Sequence, residues 1–258
     1  MKCLSNSSQK FPCGKCAVCL DRKRKDWTFR CTKELKEHKY AHFLTLTISD
    51  DYYNDQVCNN RRHIQLWLKS LRHQVRPFRY FLVSEYGSKT GRSHYHAIIY
   101  TDEPLSSFRR AVLKTWKFGF SYFGQATLKS ISYVAKYCLS GIYTNPDRME
   151  FGKPFLLSSR NPAIGSVYLD QHYIRNPTPS TELLFNGYIQ PLPKYYRDKL
   201  YTSEEKMKLR FDRLNSKKDR AMIDTAESLG LPLTHLQQDM YDNKCRLLKN
   251  KFKNSGQY

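Results

Sequence analysis

Long apolar runs are missing from this 258-residue chain. No stretch approaches the roughly 18–20 apolar residues of a membrane-spanning helix, so no transmembrane segment and no membrane partner are expected. The opening residues, MKCLSNSSQKFPCGKC, carry no apolar core of the kind a secretory signal needs. Acidic residues are few: 23 Asp and Glu stand against 44 Lys and Arg, a formal net charge of +21. So large a surplus calls for a polyanion. Nucleic acid is the first class to consider and an anionic membrane surface the second. No internal repeat or low-complexity tract is present. A hydrophobic content of 40% with 14% aromatics excludes a wholly disordered chain. Without a secretory leader, the eight cysteines read as thiols or metal ligands rather than a disulfide framework.

The positive charge is spread along the chain. Residues 1–41 hold 11 basic and 4 acidic side chains, and residues 194–258 hold 15 and 9. The expected organisation is a Cys-rich basic segment over 1–41, a catalytic domain over 42–193 and a basic helical extension over 194–258. Trp27, Cys31 and Leu35 mark a helical stripe. In HFLTLTIS (42–49), Leu44, Leu46 and Ile48 alternate with Phe43, Thr45 and Thr47, the pattern of a strand. Ile64, Trp67, Leu68, Leu71 and Val75 define an amphipathic helix.

FRYFLVSE (78–85) and SHYHAIIY (93–100) form a hairpin across a turn in which Gly87 and Gly91 are candidates for positive φ. Leu105, Phe108, Val112 and Trp116 line a helix that Thr101 or Asp102 can cap. FGFSYF (118–123) is a short strand, and a helix runs from Thr127 to Gly141. The order β-α-β-β-α-β-α predicts an α+β fold: a split βαβ (ferredoxin/RRM-like) antiparallel central sheet flanked by helices. Most of the prolines fall between 144 and 193, which reads as long ordered loops. Farther on, Thr202 and Glu205 have capping-box spacing, and Met207, Phe211 and Leu214 form a stripe.

Three constellations carry chemistry. His94 and His96 share one face of a strand, ~7 Å apart at Cα by a rise of ~3.3 Å per residue. The hairpin returns Glu85 beside them. Two imidazoles and a carboxylate with open positions suit a catalytic divalent metal. The same histidines also fit exposed or hydrogen-bonded surface residues. On the helix at 127–140, Leu128, Ile131, Ala135 and Cys138 make the buried face, and Tyr133, Lys136 and Tyr137 cluster opposite. A phenol with its usual pKa near 10 is a weak nucleophile unless a cation or metal helps it ionise. In a chain with 19 tyrosines, plain amphipathic surface residues are the other reading. Third, Cys13-x-x-Cys16-x-x-Cys19 suits a structural Zn2+, with Cys3 or Cys31 as the fourth ligand. An iron–sulfur cluster or simple reduced thiols use the same residues. Cys58, Cys138 and Cys245 are isolated and read as packing residues.

FLTLT (43–47), HYH (94–96) and YVAKY (133–137), in that order, resemble the three motifs of HUH endonucleases that initiate rolling-circle replication. The chain is similar in particular to the initiators of microviruses, the gokushovirus-like single-stranded DNA phages. PCGKCAVC, the basic aromatic stretch RKRKDWTFR and FLLSSRNPAIG (155–165) extend the resemblance to roughly residues 12–165. Residues 194–258 have no matching motif.

The resemblance implies that Mg2+ or Mn2+ held by Glu85, His94 and His96 polarises a scissile phosphate. A tyrosine then attacks and stays joined to the 5′ phosphate. It further implies that Tyr133 makes the first cut, Tyr137 resolves the circle and Lys136 assists. DNA contacts fall to Arg22, Lys23, Arg24, Lys25 and Arg30. The implied partners are single-stranded DNA at a replication origin and a host helicase and polymerase, in the cytoplasm of a bacterial host cell. A non-catalytic single-stranded DNA- or RNA-binding module, stacking bases on Tyr95, Phe81 and Trp116, is the alternative. Base stacking has no need of the His94, His96 and Glu85 set, which favours the enzyme. A conjugative relaxase usually places its tyrosines before the histidine motif, the reverse of the order here.

Overall fold

The structure is a computed structural model and describes residues 12–75, 77–87, 90–139, 149–175, 180, 182–214, 217–230 and 233–254. It divides into two compact units, residues 27–167 and residues 1–26 with 168–258.

The first unit is built on a five-stranded antiparallel sheet of order β4-β1-β3-β2-β5. The strands are β1 (Tyr40–Thr47), β2 (Arg79–Tyr86), β3 (Ser93–Thr101), β4 (Ser121–Gln125) and β5 (Leu156–Ser158). The α-helices are α1 (Ala17–Glu34), which enters this unit with its second half, α2 (Arg61–Arg72), α3 (Leu105–Thr115) and α4 (Leu128–Lys136). This is the expected α+β split βαβ arrangement, with β5 added at the edge beside β2.

Side-chain parity sorts the residues to the two faces. Leu44, Leu46, Leu82, Tyr95, Ala97 and Ile99 bury one face against Ile64, Trp67, Leu68 and Leu71 of α2 and Phe108, Ala111 and Val112 of α3. Phe81, Val83, Ile98 and Tyr100 bury the other against Cys31 of α1 and Ile131, Val134 and Cys138. Trp27 and Leu35 pack against this second cluster, as their helical stripe predicts. Both halves of the core therefore meet on β3, which is buried along nearly its whole length.

Two helix starts differ in character. Asn60 caps α2 through its side-chain oxygen, and Thr127 caps α4 in a reciprocal capping box with Ser130. Helix α3 instead begins after Pro104 with no side-chain cap. The expected Thr101 hydroxyl accepts from the Glu103 amide, too early in the chain to serve. In the β2–β3 turn, Gly91 takes φ +71° and Gly87 does not take a positive φ.

The second unit includes α5 (Val167–Arg175), a two-stranded hairpin of β6 (Glu182–Phe185) and β7 (Tyr188–Pro191), and helices α6 (Lys194–Leu200), α7 (Ser203–Leu214), α8 (Lys217–Ser228) and α9 (Leu233–Asn254). Thr202 and Glu205 form the expected capping box at the start of α7. Met207 and Phe211, two members of its apolar stripe, stand exposed. The hairpin replaces part of the loop expected after residue 144. The helix end expected at Gly141 lies outside the described residues. No helix among the described residues is long and apolar enough to cross a membrane.

Candidate active site

The sheet face that meets α4 changes character along its length. Phe81, Val83, Ile98 and Tyr100 are apolar and covered. Farther along the same parity come Glu85 on β2, His96 and His94 on β3, and Thr45 on β1. The ladder pairs Glu85 with His94 and Thr45 with His96, so all four side chains leave the same face.

Each imidazole is held through Nδ1. The His96 Nδ1 lies 2.9 Å from the Thr45 hydroxyl, and the His94 Nδ1 lies 2.7 Å from the Arg92 carbonyl oxygen. Such bonds fix tautomer and ring orientation, and in metal sites they leave Nε2 to face the ion. The His96 Nε2 stands 3.1 Å from Glu85 Oε1. Two ligands ~2.1 Å from one ion and at right angles to each other lie ~3.0 Å apart. This pair therefore fits either a hydrogen bond or one edge of a metal site. The donor atoms of Glu85, His94 and His96 do not all fall within 4.8 Å of one another, a spacing met among the described residues only by Cys13, Cys16 and Cys19. His94 is the outlier because its ring is turned onto the Arg92 carbonyl. Gly87 makes room for it, since a Cβ there would sit 3.1 Å from His94 Cε1. Burial lowers the pKa of His94, which favours the neutral imidazole that a metal needs.

Above this floor, α4 and the 3₁₀ turn after it (Tyr137–Leu139) bring in both phenols. The Tyr137 ring stacks on His96 with centroids 4.9 Å apart, and Tyr133 meets the same imidazole edge-on at 5.4 Å. The Tyr137 hydroxyl donates to the Tyr133 hydroxyl oxygen at 2.6 Å. Tyr133 is 42% exposed, and Tyr137 is more covered. Burial raises both phenol pKa values, and the Glu85 carboxylate adds to the rise. Lys136 is half-buried, its pKa lowered by burial and supported by the Glu85 charge.

The helix face differs from expectation in one residue. Leu128 stands exposed, and Val134, one turn before Cys138, takes the buried place beside Ile131 and Ala135. Position 128 is the first of the helix and overhangs the sheet edge.

An open groove of about 660 Å³ runs past the phenols, lined by Phe43, Thr45, His96, Tyr122, Lys129, Ser130 and Tyr133. Tyr122, paired across from Thr45 on β4, is 65% exposed, and Phe120 beside the strand is 80% exposed. Thr45, Tyr122 and Lys129 are site residues that sequence reasoning does not pick out. By contrast Tyr95, Phe81 and Trp116 are fully or almost fully buried, so none of the three can stack a base.

The N-terminal expectations divide. Cys13, Cys16 and Cys19 come together. Cys31 does not join them: it lies on the same helix twelve residues past Cys19, ~18 Å away at 1.5 Å per residue, and is wholly buried beside Tyr100. Cys3 lies outside the described residues. Cys58 and Cys138 are buried, as packing residues would be.

Among the basic residues of α1, Arg24 and Lys25 pair with Asp21 at 2.8 and 3.3 Å. Arg30 donates to the Ile164 carbonyl and stacks over Trp27. Arg22 and Lys23 lie on the same helix. Arg30 thus has a packing role that the charge count does not reveal.

A family model for the replication-associated protein ORF2 group matches residues 41–141, the stretch that carries the sheet and both tyrosines. Replication-associated protein ORF4 of Chlamydia phage 1 is 29% identical over 214 residues, 74% of this chain and 53% of the relative. Replication-associated protein VP4 of Bdellovibrio phage phiMH2K is 27% identical over 281 residues, covering 94% of this chain and 87% of its own length. Replication-associated protein ORF2 of Spiroplasma virus 4 is 31% identical over 150 residues, 49% of this chain and 47% of that protein. The chain thus spans about half the length of two of these relatives. No solved structure matches it. With the motif order and the sheet that displays it, these matches place the chain among the replication-associated proteins of small phages.

Proposed function

We propose that the chain initiates rolling-circle replication by nicking single-stranded DNA at an origin through tyrosine attack, and that it rejoins the ends to release circles. The observation that carries this reading is the meeting of Tyr133 and Tyr137 at 2.6 Å, hydroxyl to hydroxyl, over the ring of His96. A pair of phenols above a Glu–His floor has no packing purpose, and each can reach the same phosphorus.

The step is a transesterification. The Tyr133 oxygen bonds to phosphorus, the bond to the 3′ oxygen breaks, and the phenol proton is balanced by the one gained at the new 3′ hydroxyl. The phosphodiester energy is kept in a 5′-phosphotyrosine link, so the reverse attack by a 3′ hydroxyl can reseal the strand without another energy source. Tyr133 suits the first cut because it lines the groove, and Tyr137, deeper against His96, suits the second.

Glu85, His94 and His96 are the residues that would hold a divalent cation, Mg2+ or Mn2+. Bound there, it would supply Lewis-acid charge to the phosphate and offset the Glu85 carboxylate that otherwise opposes phenol ionisation. Lys136 adds a cation one helical turn from the phenols. Thr45 orients His96, and Tyr122 with Lys129 offers a base-stacking surface and a phosphate contact along the groove. The freed 3′ hydroxyl calls for a host polymerase and helicase, in the cytoplasm of a bacterial host.

The test is incubation with an origin-bearing single-stranded oligonucleotide and Mn2+, followed by denaturing electrophoresis and peptide mapping of the adduct. DNA linked to Tyr133 or Tyr137 is expected. An adduct on neither residue, or none at all with intact strand binding, would overturn the nicking role in favour of a binding module.

A further inference from the structure

The segment of Cys13, Cys16 and Cys19 has no part in this chemistry, yet its backbone is arranged around the sulfurs. Gly14 adopts φ +72°, a left-handed conformation that a side chain disfavours. That turn aims the Lys15 and Cys16 amides at Cys13 Sγ, at 3.4 and 3.3 Å. The Cys19 amide points at Cys16 Sγ in the same way, at 3.4 Å. Helix α1 starts at Ala17, so the Cys19 amide belongs to the first turn, where backbone donors have no acceptor within the helix. Amides directed at sulfur favour the thiolate over the thiol. All three sulfurs lie within 4.8 Å of one another, and Cys13 and Cys19 are 4.0 Å apart.

The spacing identifies the kind of metal. Thiolates at ~2.3 Å from a single tetrahedral ion lie ~3.8 Å apart. A four-iron cluster seats each cysteine on a different iron and spreads the sulfurs wider. The N–H···S turns and the close sulfurs fit one ion. We infer that Cys13, Cys16 and Cys19 bind a single Zn2+ ion that fixes the start of helix α1. Its task is structural, since α1 goes on to carry Arg22, Lys23, Arg24 and Lys25. The inference stands independently of the nicking reading.

Full-length protein purified without chelator should contain about one zinc per chain by elemental analysis. The zinc should be released by a thiol-modifying reagent with chromogenic detection, a readout that needs no variant to fold. Cys13→Ser, Cys16→Ser and Cys19→Ser should each lose the metal, while Cys245→Ser keeps it. Replacement by Co2+ should give tetrahedral d–d bands with sulfur-to-cobalt charge transfer, whose intensity counts the thiolates. Absence of zinc, with Cys13→Ser melting at the wild-type temperature, would overturn the site in favour of plain thiols. Iron with broad visible absorption would overturn it in favour of a cluster.

Discussion

The Tyr137 ring lies flat on His96, with planes inclined by 6° and centroids 4.9 Å apart. A phenol in that position is held by the residue it is expected to work beside. Tyr133, edge-on to the same imidazole and open to the groove, is less confined. The two phenols are therefore not equivalent. Tyr133→Phe should reduce the covalent adduct in a single cleavage reaction by at least about 100-fold. Tyr137→Phe should leave single cleavage within a few-fold and suppress circle release over successive rounds. Equal loss from both substitutions in the single-turnover assay would contradict the division of labour.

Removing the imidazole tests the floor of the site. His96→Ala should abolish Mn2+-dependent cleavage and leave salt-sensitive DNA binding within about threefold, because affinity rests mainly on phosphate contacts. Thr45→Val, which removes the 2.9 Å partner of His96 Nδ1, should lower cleavage about 10–100-fold, the range seen when an outer-shell partner of a ligand is lost. Circular dichroism spectra matching wild type are needed for both. A His96→Ala protein that still cleaves would remove this residue from the metal site.

Tyr122 is expected to act on strand affinity rather than on the chemical step. Tyr122→Ala should weaken binding of a single-stranded oligonucleotide by about 1–3 kcal/mol, the usual worth of one base stacked on an aromatic ring. Titration by fluorescence anisotropy at fixed salt reads this directly. Unchanged affinity would mean that the strand does not follow the groove beside β4.

The buried Glu34 carboxylate pairs with Arg79, whose Nε lies 2.6 Å away, and with His38 Nε2 at 3.0 Å, and it accepts from the Gly165 amide at 2.6 Å. Glu34→Ala strands the Arg79 cation beside an empty space. Breaking a buried pair in this way costs about 3–5 kcal/mol. Thermal unfolding should shift down accordingly, and a change below about 1 kcal/mol, the worth of an exposed pair, would show that this one is better hydrated than its burial implies.

Much of this architecture is legible from period alone. The parity of Leu44, Leu46 and Ile48 against Phe43, Thr45 and Thr47 gives β1 its two faces. The same parity carries His94 and His96 to one side. What periodicity does not give is depth. Tyr95 sits between the two histidines and looks like a surface aromatic, yet the central position of β3 buries it against α2 and α3. Leu128 fits the helical stripe but overhangs the sheet edge, which only the docking of α4 decides. Tyr122 is one tyrosine among many on a five-residue strand, too short for a pattern to single it out. Glu34 lies in a basic helix where its charge reads as a local neutraliser, because its partner Arg79 comes from a strand distant in sequence. The hairpin points to Glu85, but the nearer partner of that carboxylate is His96, one diagonal across from the residue it faces in register.

The order β4-β1-β3-β2-β5 divides the site by how its parts can open. Thr45, Glu85, His94 and His96 stand on β1, β2 and β3, each hydrogen-bonded to a strand on both sides. The phenols stand on a nine-residue helix and the single turn that follows it. Amide deuteration should separate the two. Protons near Thr45 and His96 should exchange only when the whole unit unfolds, whereas those of 131–137 should exchange through local opening at lower free energy. The metal-binding half of the site would then keep its shape while the nucleophile-bearing half swings, which is the freedom two phenols need to trade places at one phosphate. Uniform exchange across both halves would remove that freedom and leave the trade to the DNA.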